Sequence, residues 1–401
     1  VTETTTDNPA LVPSGEDEPA LLDWLSRMRE EQPVWRDGTG IWHLFRHEDV
    51  EAVTRDPETF SSDTGRIFPE ARRAQRGMLT AIDPPEHRAL RRLVSTAFTP
   101  RTVAGLEPRI RTVTRELLDA VGDRFDLVDA LAFPLPVIVI AELLGLPTSD
   151  RGQFRAWADD LFSMQVDPGD PELGAKVTAA TAGITGYLAE KCRARRADPG
   201  SDLMSALVTA EVDGRQLDDE EATNFSMLLL LAGHITTTLL LGNAVRTFDE
   251  NPGVWDELRA DPGLIPPAIE EVLRLRTPFT QIGRATTRDV ERHGVTIPAN
   301  VVVTPWLLAA SRDPRVHRDP DRFDLGRGLG GGNQLAFGHG IHFCLGAPLA
   351  RLEGRVALQE LTGRFRELRV DHDAVAAMGG MGGYPRGILG VRRLPVIARP
   401  T

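Results

Sequence analysis

The chain has 401 residues, 41% of them hydrophobic and 26% charged, the balance of an ordinary soluble globular protein with material for a large core. Its 46 Lys+Arg against 58 Asp+Glu leave a net charge of −12, so a nucleic-acid role has no global electrostatic support. Its two cysteines, Cys192 and Cys344, lie far apart in unlike contexts, which argues against a disulfide framework and suits a reducing compartment.

Residues 1–20 form a polar, acidic lead with no basic residue before Arg27, which speaks against a signal or transit peptide and makes a cytoplasmic location the expectation. Residues 21–401 are expected to form one domain. A helix is predicted over about residues 19–31. Val34-Trp35 and residues 41–45 flank the turn sequence Asp37-Gly38-Thr39-Gly40 and read as a β-hairpin. Helical spacing returns over residues 47–54. Residues 61–80 show no clean period and read as a long loop, the kind that often carries function. Asp83-Pro84-Pro85-Glu86 is a sharp helix start, and His87 and Arg91, four residues apart, share a face of the helix that follows.

Residues 106–210 are predicted to be mostly helical, interrupted at Pro134-Leu135-Pro136, Pro147-Thr148-Ser149 and Pro168-Gly169-Asp170-Pro171. Cys192, in EKCRARR, reads as a structural or solvent-facing thiol. Asp218 with Glu221 three positions later forms a capping box for a long helix. Residues 222–245 of that helix carry no formal charge and are long enough to cross a bilayer. Thr223, Asn224, Ser226, His234 and Asn243 interrupt the apolar run and no basic flank precedes it, so a buried core helix is expected and no membrane. In its middle the Thr236 hydroxyl can return to the Ala232 carbonyl while Gly233 loosens the same turn, which predicts a local distortion of the hydrogen-bond ladder.

Further on, Glu271 and Arg274 are helix neighbours at i, i+3, a pair that says little by itself. Residues 277–284 read as a strand, and residues 294–303 as a hairpin turning at Pro298-Ala299-Asn300. The densest stretch is residues 337–346, FGHGIHFCLG. Gly338 and Gly340 allow dihedrals and close approach that a Cβ forbids. Phe337 and Phe343 give apolar cover, and His342 puts a potential cation two residues before Cys344. Gly346 and Pro348 lead into a helix whose N-terminus favours an anionic sulfur. Residues 378–400 are Gly-rich and then strand-like, plausible as a hairpin reaching into a pocket. No repeat, P-loop, dinucleotide fingerprint or paired-cysteine metal spacing is present.

FGHGIHFCLG matches Phe-x-x-Gly-x-basic-x-Cys-x-Gly at every fixed position and resembles the haem-binding loop of the cytochrome P450 monooxygenases. The resemblance spans residues 34 to 400 through five motifs in the family's order. It implies a mainly α fold with small β-sheets in a single domain, and haem b (iron protoporphyrin IX) between the long helix and the Cys344 loop. Cys344 is then the thiolate ligand of the iron. Phe337, Gly346 and Ala232 lie against the haem, and His87, Arg91, Arg284 and His342 meet its propionates. Thr236 and Thr237 are assigned to dioxygen and its protons. Residues 162–176 correspond to the family's mobile lid. Glu271 and Arg274 correspond to its Glu-x-x-Arg, completed by an arginine of Pro320-Asp321-Arg322-Phe323. One departure stands out: the family places an acid before the threonine, and this chain has Ile235, so proton delivery is expected through water and Thr236.

Without a flavin or nicotinamide site, electrons are expected from a ferredoxin and its reductase. Arg88, Arg92 and Arg351 are candidates for the basic docking patch. The remaining expectations are a monomer acting with O2 on a bulky, largely apolar small molecule. AGHITTT resembles macrolide-tailoring hydroxylases. The alternative is a haem sensor or carrier, or a peroxide-driven oxygenase.

Overall fold

The computed structural model describes residues 12–95, 98–163, 171–212, 214–328, 334–384 and 387–401. Its axis is the helix Asp219–Asp249. The capping box forms as expected: the Asp218 carboxylate accepts from the Glu221 amide at 2.9 Å, and the Glu221 carboxylate accepts from the Asp218 amide at 3.0 Å. This helix is long and apolar enough to span a bilayer, yet two thirds of its most apolar window is buried inside the protein. A helix apolar nearly all round needs cover on every side. Helices Pro134–Leu144, Pro171–Ala197, Ile265–Leu275 and Ala347–Arg364 provide it.

Each covering helix has a local reason. Pro134-Leu135-Pro136 does not interrupt the chain; these residues are the first turn of Pro134–Leu144, where a missing N–H goes unused. Val137 to Ala141 and Leu144 are all buried, each large side chain stabilising by roughly 1.5–3 kcal/mol. Gly145, at φ 71°, ends the helix in the left-handed region. Ala347–Arg364 starts with Pro348 in its first turn and buries Leu349, Leu352 and Val356 along one stripe and Leu358 and Leu361 on the side beyond it.

The sheets are small. A five-stranded sheet runs in the order Val34–Arg36, Trp42–Leu44, Val302–Pro305, Arg284–Thr286, Phe60–Ser61. The first pair is the expected hairpin, with Trp35 opposite His43; Val302–Pro305 then joins Trp42–Leu44 in parallel, Val303 opposite Trp42. A three-stranded sheet holds Phe365–Val370, Pro395–Pro400 and Arg124–Asp126. The mainly α, single-domain expectation with small sheets is met.

Four local expectations are corrected. The predicted 277–284 strand is met only at its last residue, where the strand Arg284–Thr286 begins; before it Phe279 forms an isolated bridge with Ile388. Val295–Ile297 pairs with the preceding Val290–Arg292, not across Pro298-Ala299-Asn300, because His293 (φ 51°) and Gly294 (φ 76°) make the tight turn. The tail is not one hairpin: Gly383 bridges Val391, whereas Pro395–Pro400 belongs to the three-stranded sheet. Arg124–Asp126 falls inside the stretch read as helical. Residues 164–170 of the expected lid lie outside the described residues.

At the N-terminal end the helix is Glu18–Glu31, and Glu18 is already buried, pairing with Arg276 at 2.9 Å and Arg246 at 3.0 Å. Cys192 is fully buried beside Ser226, a structural thiol and not a solvent-facing one.

Candidate active site

The Cys344 loop folds on itself through short-range amides. Gly338 N–H donates to Leu335 at 2.8 Å, Phe343 N–H to Gly340 at 3.1 Å, and Cys344 N–H to Phe337 at 2.9 Å. Gly340 adopts φ 69°, and a Cβ there would stand 2.5 Å from the Thr54 carbonyl oxygen, so glycine is required on both counts. Phe337 and Phe343 cover the loop with centroids 6.2 Å apart, and the Arg351 guanidinium stacks 4.5 Å over Phe337. Burial pushes the Cys344 thiol up, while the amides of Gly346 and Ala347 and the charge of Arg91 pull it down. Those amides open the helix Ala347–Arg364 and aim at the sulfur, the arrangement that favours a thiolate once a metal neutralises it. The part of Cys344 that remains accessible faces a cavity of about 310 Å3.

The far wall of that cavity is the long helix, through Phe225, Leu228, Ala232, Gly233, Thr236 and Thr237. Thr236 Oγ1 donates to the Ala232 carbonyl at 2.9 Å, as its spacing predicts. The predicted ladder distortion is absent: Asp219–Asp249 is α-helical throughout. Room comes from small side chains instead, and Gly233 is held to size because a Cβ would meet Ile140 Cγ1 at 2.9 Å. Ile235 is turned away, packed with Leu239, Phe279, Tyr384 and Ile388. The tail therefore braces the long helix from behind, and none of the described residues between 378 and 394 lines the cavity.

His87, Arg91, Arg284 and His342 converge on one rim of the cavity. The His87 and His342 rings lie 4.2 Å apart, and His342 Nε2 meets Ser62 Oγ at 2.9 Å. Burial pulls His87 down to about 4, aided by Arg91, and His342 down to about 3, aided by Arg284 and His87. Burial and the neighbouring cations thus favour the neutral form of His342 until an anion meets the rim. Burial also lowers Arg284 to about 10, and its guanidinium donates only to its own Gly283 carbonyl. Among the described residues, Asp83 is the carboxylate bearing on His87 and Arg284, and it is engaged by the Ser61 hydroxyl and the Ser62 amide. His87 Nε2 and His342 Nδ1 are buried without partners. A rim of crowded donors and orphaned nitrogens beside a buried thiol fits a porphyrin carrying carboxylates.

Behind the loop, Arg274 and Glu271, both 1% exposed, pair at 2.8 Å through two bonds. The expected third member is corrected: Arg322 is exposed and contributes only its carbonyl, accepting from Arg274 at 3.2 Å. Arg327 completes the triad, its Nε 3.1 Å from Glu271. Arg351 belongs less to a free basic patch than expected, since Glu270 holds it at 2.6 Å.

Sequence reading missed Ser62, Asp83, Arg327 and one carboxyl, Glu353, which lines the cavity beside Thr236 and Thr237 and is 1% exposed. A signal for Glu353 exists. It occupies the apolar stripe of its helix, between Leu352 and Val356, where a charged residue has no solvent to face.

Comparison with known proteins gives the following. A family model described as Cytochrome P450 matches residues 264–375. The erythromycin C-12 hydroxylase of Saccharopolyspora erythraea is 58% identical over 388 residues, covering 96% of each chain. The cyclomarin C epoxidase CymV of Salinispora arenicola is 47% identical over 358 residues, 88% of this chain and 90% of that one. A structure of a mutant of P450 EryK in complex with erythromycin B superposes with a TM-score of 0.91 at 58% identity, covering 96% of this chain and 98% of that one.

Proposed function

The chain belongs to the cytochrome P450 family and is a monooxygenase, and from that premise we propose that it hydroxylates a C–H bond of a macrolide, a bulky and largely apolar product of secondary metabolism. The observation that carries this is identity of 58% along nearly the whole length to a hydroxylase named for erythromycin. An apolar cavity walled by Phe225, Leu228 and Leu229 supports it. No comparison supports a haem sensor or carrier, or a peroxide-driven oxygenase.

The family implies a haem cofactor. When bound, haem b supplies dioxygen activation and oxygen transfer. On this reading Cys344 holds the iron, Phe337, Gly346 and Ala232 close on the porphyrin, and His87, Arg91, Arg284 and His342 bind its propionates. Thr236 and Thr237 hold protons at the face where oxygen is reduced, and Leu228 and Leu229 exclude water from the substrate. Residues 21–401 form the catalytic domain. Bacterial relatives use separate redox partners; here we assign a ferredoxin and its reductase, acting on a monomer in the cytoplasm.

The test is a titration of the purified holoenzyme with erythromycin B. The expected result is a low- to high-spin shift of the haem spectrum, followed by a hydroxylated product with ferredoxin, reductase and O2. A shift given by an unrelated terpene or fatty acid, with none for the macrolide, would remove the macrolide assignment.

A further inference from the structure

Trp306 follows directly on the strand Val302–Pro305 and precedes Leu307, which lines the cavity. Its indole is 1% exposed and packs in a separate cluster with Trp24, Trp35 and Phe45. Trp24 stands edge-on to Trp306, centroids 5.4 Å apart, and edge-on to Trp35 at 5.9 Å, so three indoles touch in a row. The row starts one residue from the cavity wall and ends at Trp35, beside the exposed Arg36. A buried indole N–H needs one acceptor, and any carbonyl would serve. Here Trp306 Nε1 donates at 3.1 Å to His43 Nδ1, on the strand Trp42–Leu44. An indole can only donate, so His43 Nδ1 is the unprotonated nitrogen, and its Nε2–H meets Asp37 Oδ2 at 3.2 Å. Asp37 also accepts from the Thr39 hydroxyl at 2.7 Å and from the Thr39 and Ile41 amides at 2.9 Å. Burial works to raise its carboxyl, but the hydrogen bonds from His43, Thr39 and Ile41 outweigh burial and hold it well below the usual carboxylate range. The indole proton therefore faces a base backed by an anion.

We propose that Trp306 is a redox-active residue: when oxygen is activated with no substrate to hydroxylate, Trp306 gives one electron to the oxidant left in the cavity and its Nε1 proton to His43, and the electron hole moves through Trp24 toward Trp35. The inference rests on the monooxygenase reading and not on the macrolide assignment. Indole is among the side chains most readily oxidised by one electron, and losing that electron makes its N–H strongly acidic. In the step, one electron leaves the Trp306 ring and reduces the cavity oxidant by one equivalent. The Nε1–H bond breaks, an N–H bond forms at His43 Nδ1, and a neutral indolyl radical is left beside an imidazolium. Asp37 favours this transfer, because the new cation forms next to an anion and not as a lone buried charge. A thiol or a reduced iron–sulfur protein in solution restores the electron at the Trp35 end, and His43 returns the proton. The role is protective, carrying oxidising power away from the site along rings that do not line the cavity.

The experiment mixes substrate-free holoenzyme with a peracid, freezes it within milliseconds and records its paramagnetic resonance spectrum. Trp306→Phe, His43→Gln and Asp37→Asn are compared with the wild type, each checked for equal haem content and melting temperature. The wild type is expected to give an indolyl radical whose line shape is the same in H2O and D2O, because the N–H proton has left. The signal should be lost in Trp306→Phe. In His43→Gln it should weaken, and what remains should narrow in D2O, the mark of a radical that has kept its proton; Asp37→Asn should lie between. Peptide mapping after repeated substrate-free turnover should find oxidised indole at Trp306 in the wild type, and haem should bleach sooner in Trp306→Phe. A radical of wild-type intensity in Trp306→Phe, or a His43→Gln signal with wild-type intensity and D2O response, would overturn the proposal. So would a wild type that consumes the peracid with no indolyl radical. Should Trp306→Phe not fold, the D2O response of His43→Gln decides alone. If reduced holoenzyme activates no oxygen, the monooxygenase reading fails separately, and the peracid radical still decides whether Trp306 is the residue oxidised.

Discussion

Arg284 shows what the rim lacks. It is 7% exposed, and among the described residues Asp83 is the one anion acting on it and the carbonyl of the preceding glycine the one acceptor its side chain meets. A buried guanidinium left in that state is costly, and charge-assisted bonds to a propionate would relieve it. Replacing it by alanine should therefore speed haem transfer to apomyoglobin roughly 10- to 100-fold, the equivalent of about 1.5–3 kcal/mol for a bond to a charged group. Glutamine should fall between. Haem retained at the wild-type rate by Arg284→Ala would show that the propionates lie elsewhere. His87 and His342 were legible in the sequence because each sits in a short motif, and Arg284 because it ends the segment that follows Glu271-x-x-Arg274. Ser62 and Asp83, which orient the rim, were not, since nothing in the spacing of a long loop says which hydroxyl meets a histidine 280 positions away.

Among the elements, the segment behind the Cys344 loop decides whether the site can be assembled. The Glu271–Arg274 pair is built within one helix by i, i+3 spacing, but its surroundings come from the loop after Ser311. Glu271→Ala would leave Arg274 as an uncompensated buried cation at about 3–5 kcal/mol, enough to give protein without haem. Arg327→Ala should cost less, since Arg274 still neutralises Glu271. Arg322→Ala should be close to silent, because only its carbonyl is used. Thermal unfolding and haem content of the three variants check the order, and an Arg322→Ala as damaging as Arg327→Ala would reverse the assignment of the triad. The long helix is the opposite case. Its capping box, its Thr236 bond to Ala232 and its burial all follow from residues within a few positions of one another.

For the whole molecule, buried histidines set the acid limit. His234 is fully enclosed, its Nδ1 3.0 Å from the Leu230 carbonyl and its ring edge-on to Phe133, and burial lowers it to about 4. His317 is likewise lowered to about 4, by burial and then by Arg274. In the unfolded chain both titrate near 6.5, so between about 6.5 and 4 the unfolded state binds protons that the folded state refuses. Their contribution is complete above the unfolded value and is lost as pH falls, by up to about 1.4 kcal/mol per pKa unit for each group. The melting temperature should drop as pH falls from 7 to 4.5, and His234→Gln should flatten that slope; a slope unchanged in the variant would mean that His234 is not the group responsible. With a net charge of −12, docking of the acidic ferredoxin proposed as electron donor would depend on a local basic face. Arg88 is exposed on the helix Glu86–Ser95, whose residues His87 and Arg91 serve the rim. Reduction by ferredoxin should slow as ionic strength rises, and Arg88→Glu should slow it at low salt. Rates indifferent to both would place docking on another surface.

Chain-local geometry was decided by the order of residues alone: the loop around Cys344, the capped long helix with its Thr236 bond, the proline-led helices, and the family they belong to. Dihedral limits and helical spacing act between near neighbours, so they can be read from near neighbours. Folding in three dimensions selected the rest: Arg327 over Arg322 for Glu271, Val290–Arg292 over a later strand for Val295–Ile297, Ile235 turned from the cavity and Glu353 turned into it. Those choices join distant segments, and they are set by which packing excludes water from the most apolar surface while leaving the fewest charges unpaired.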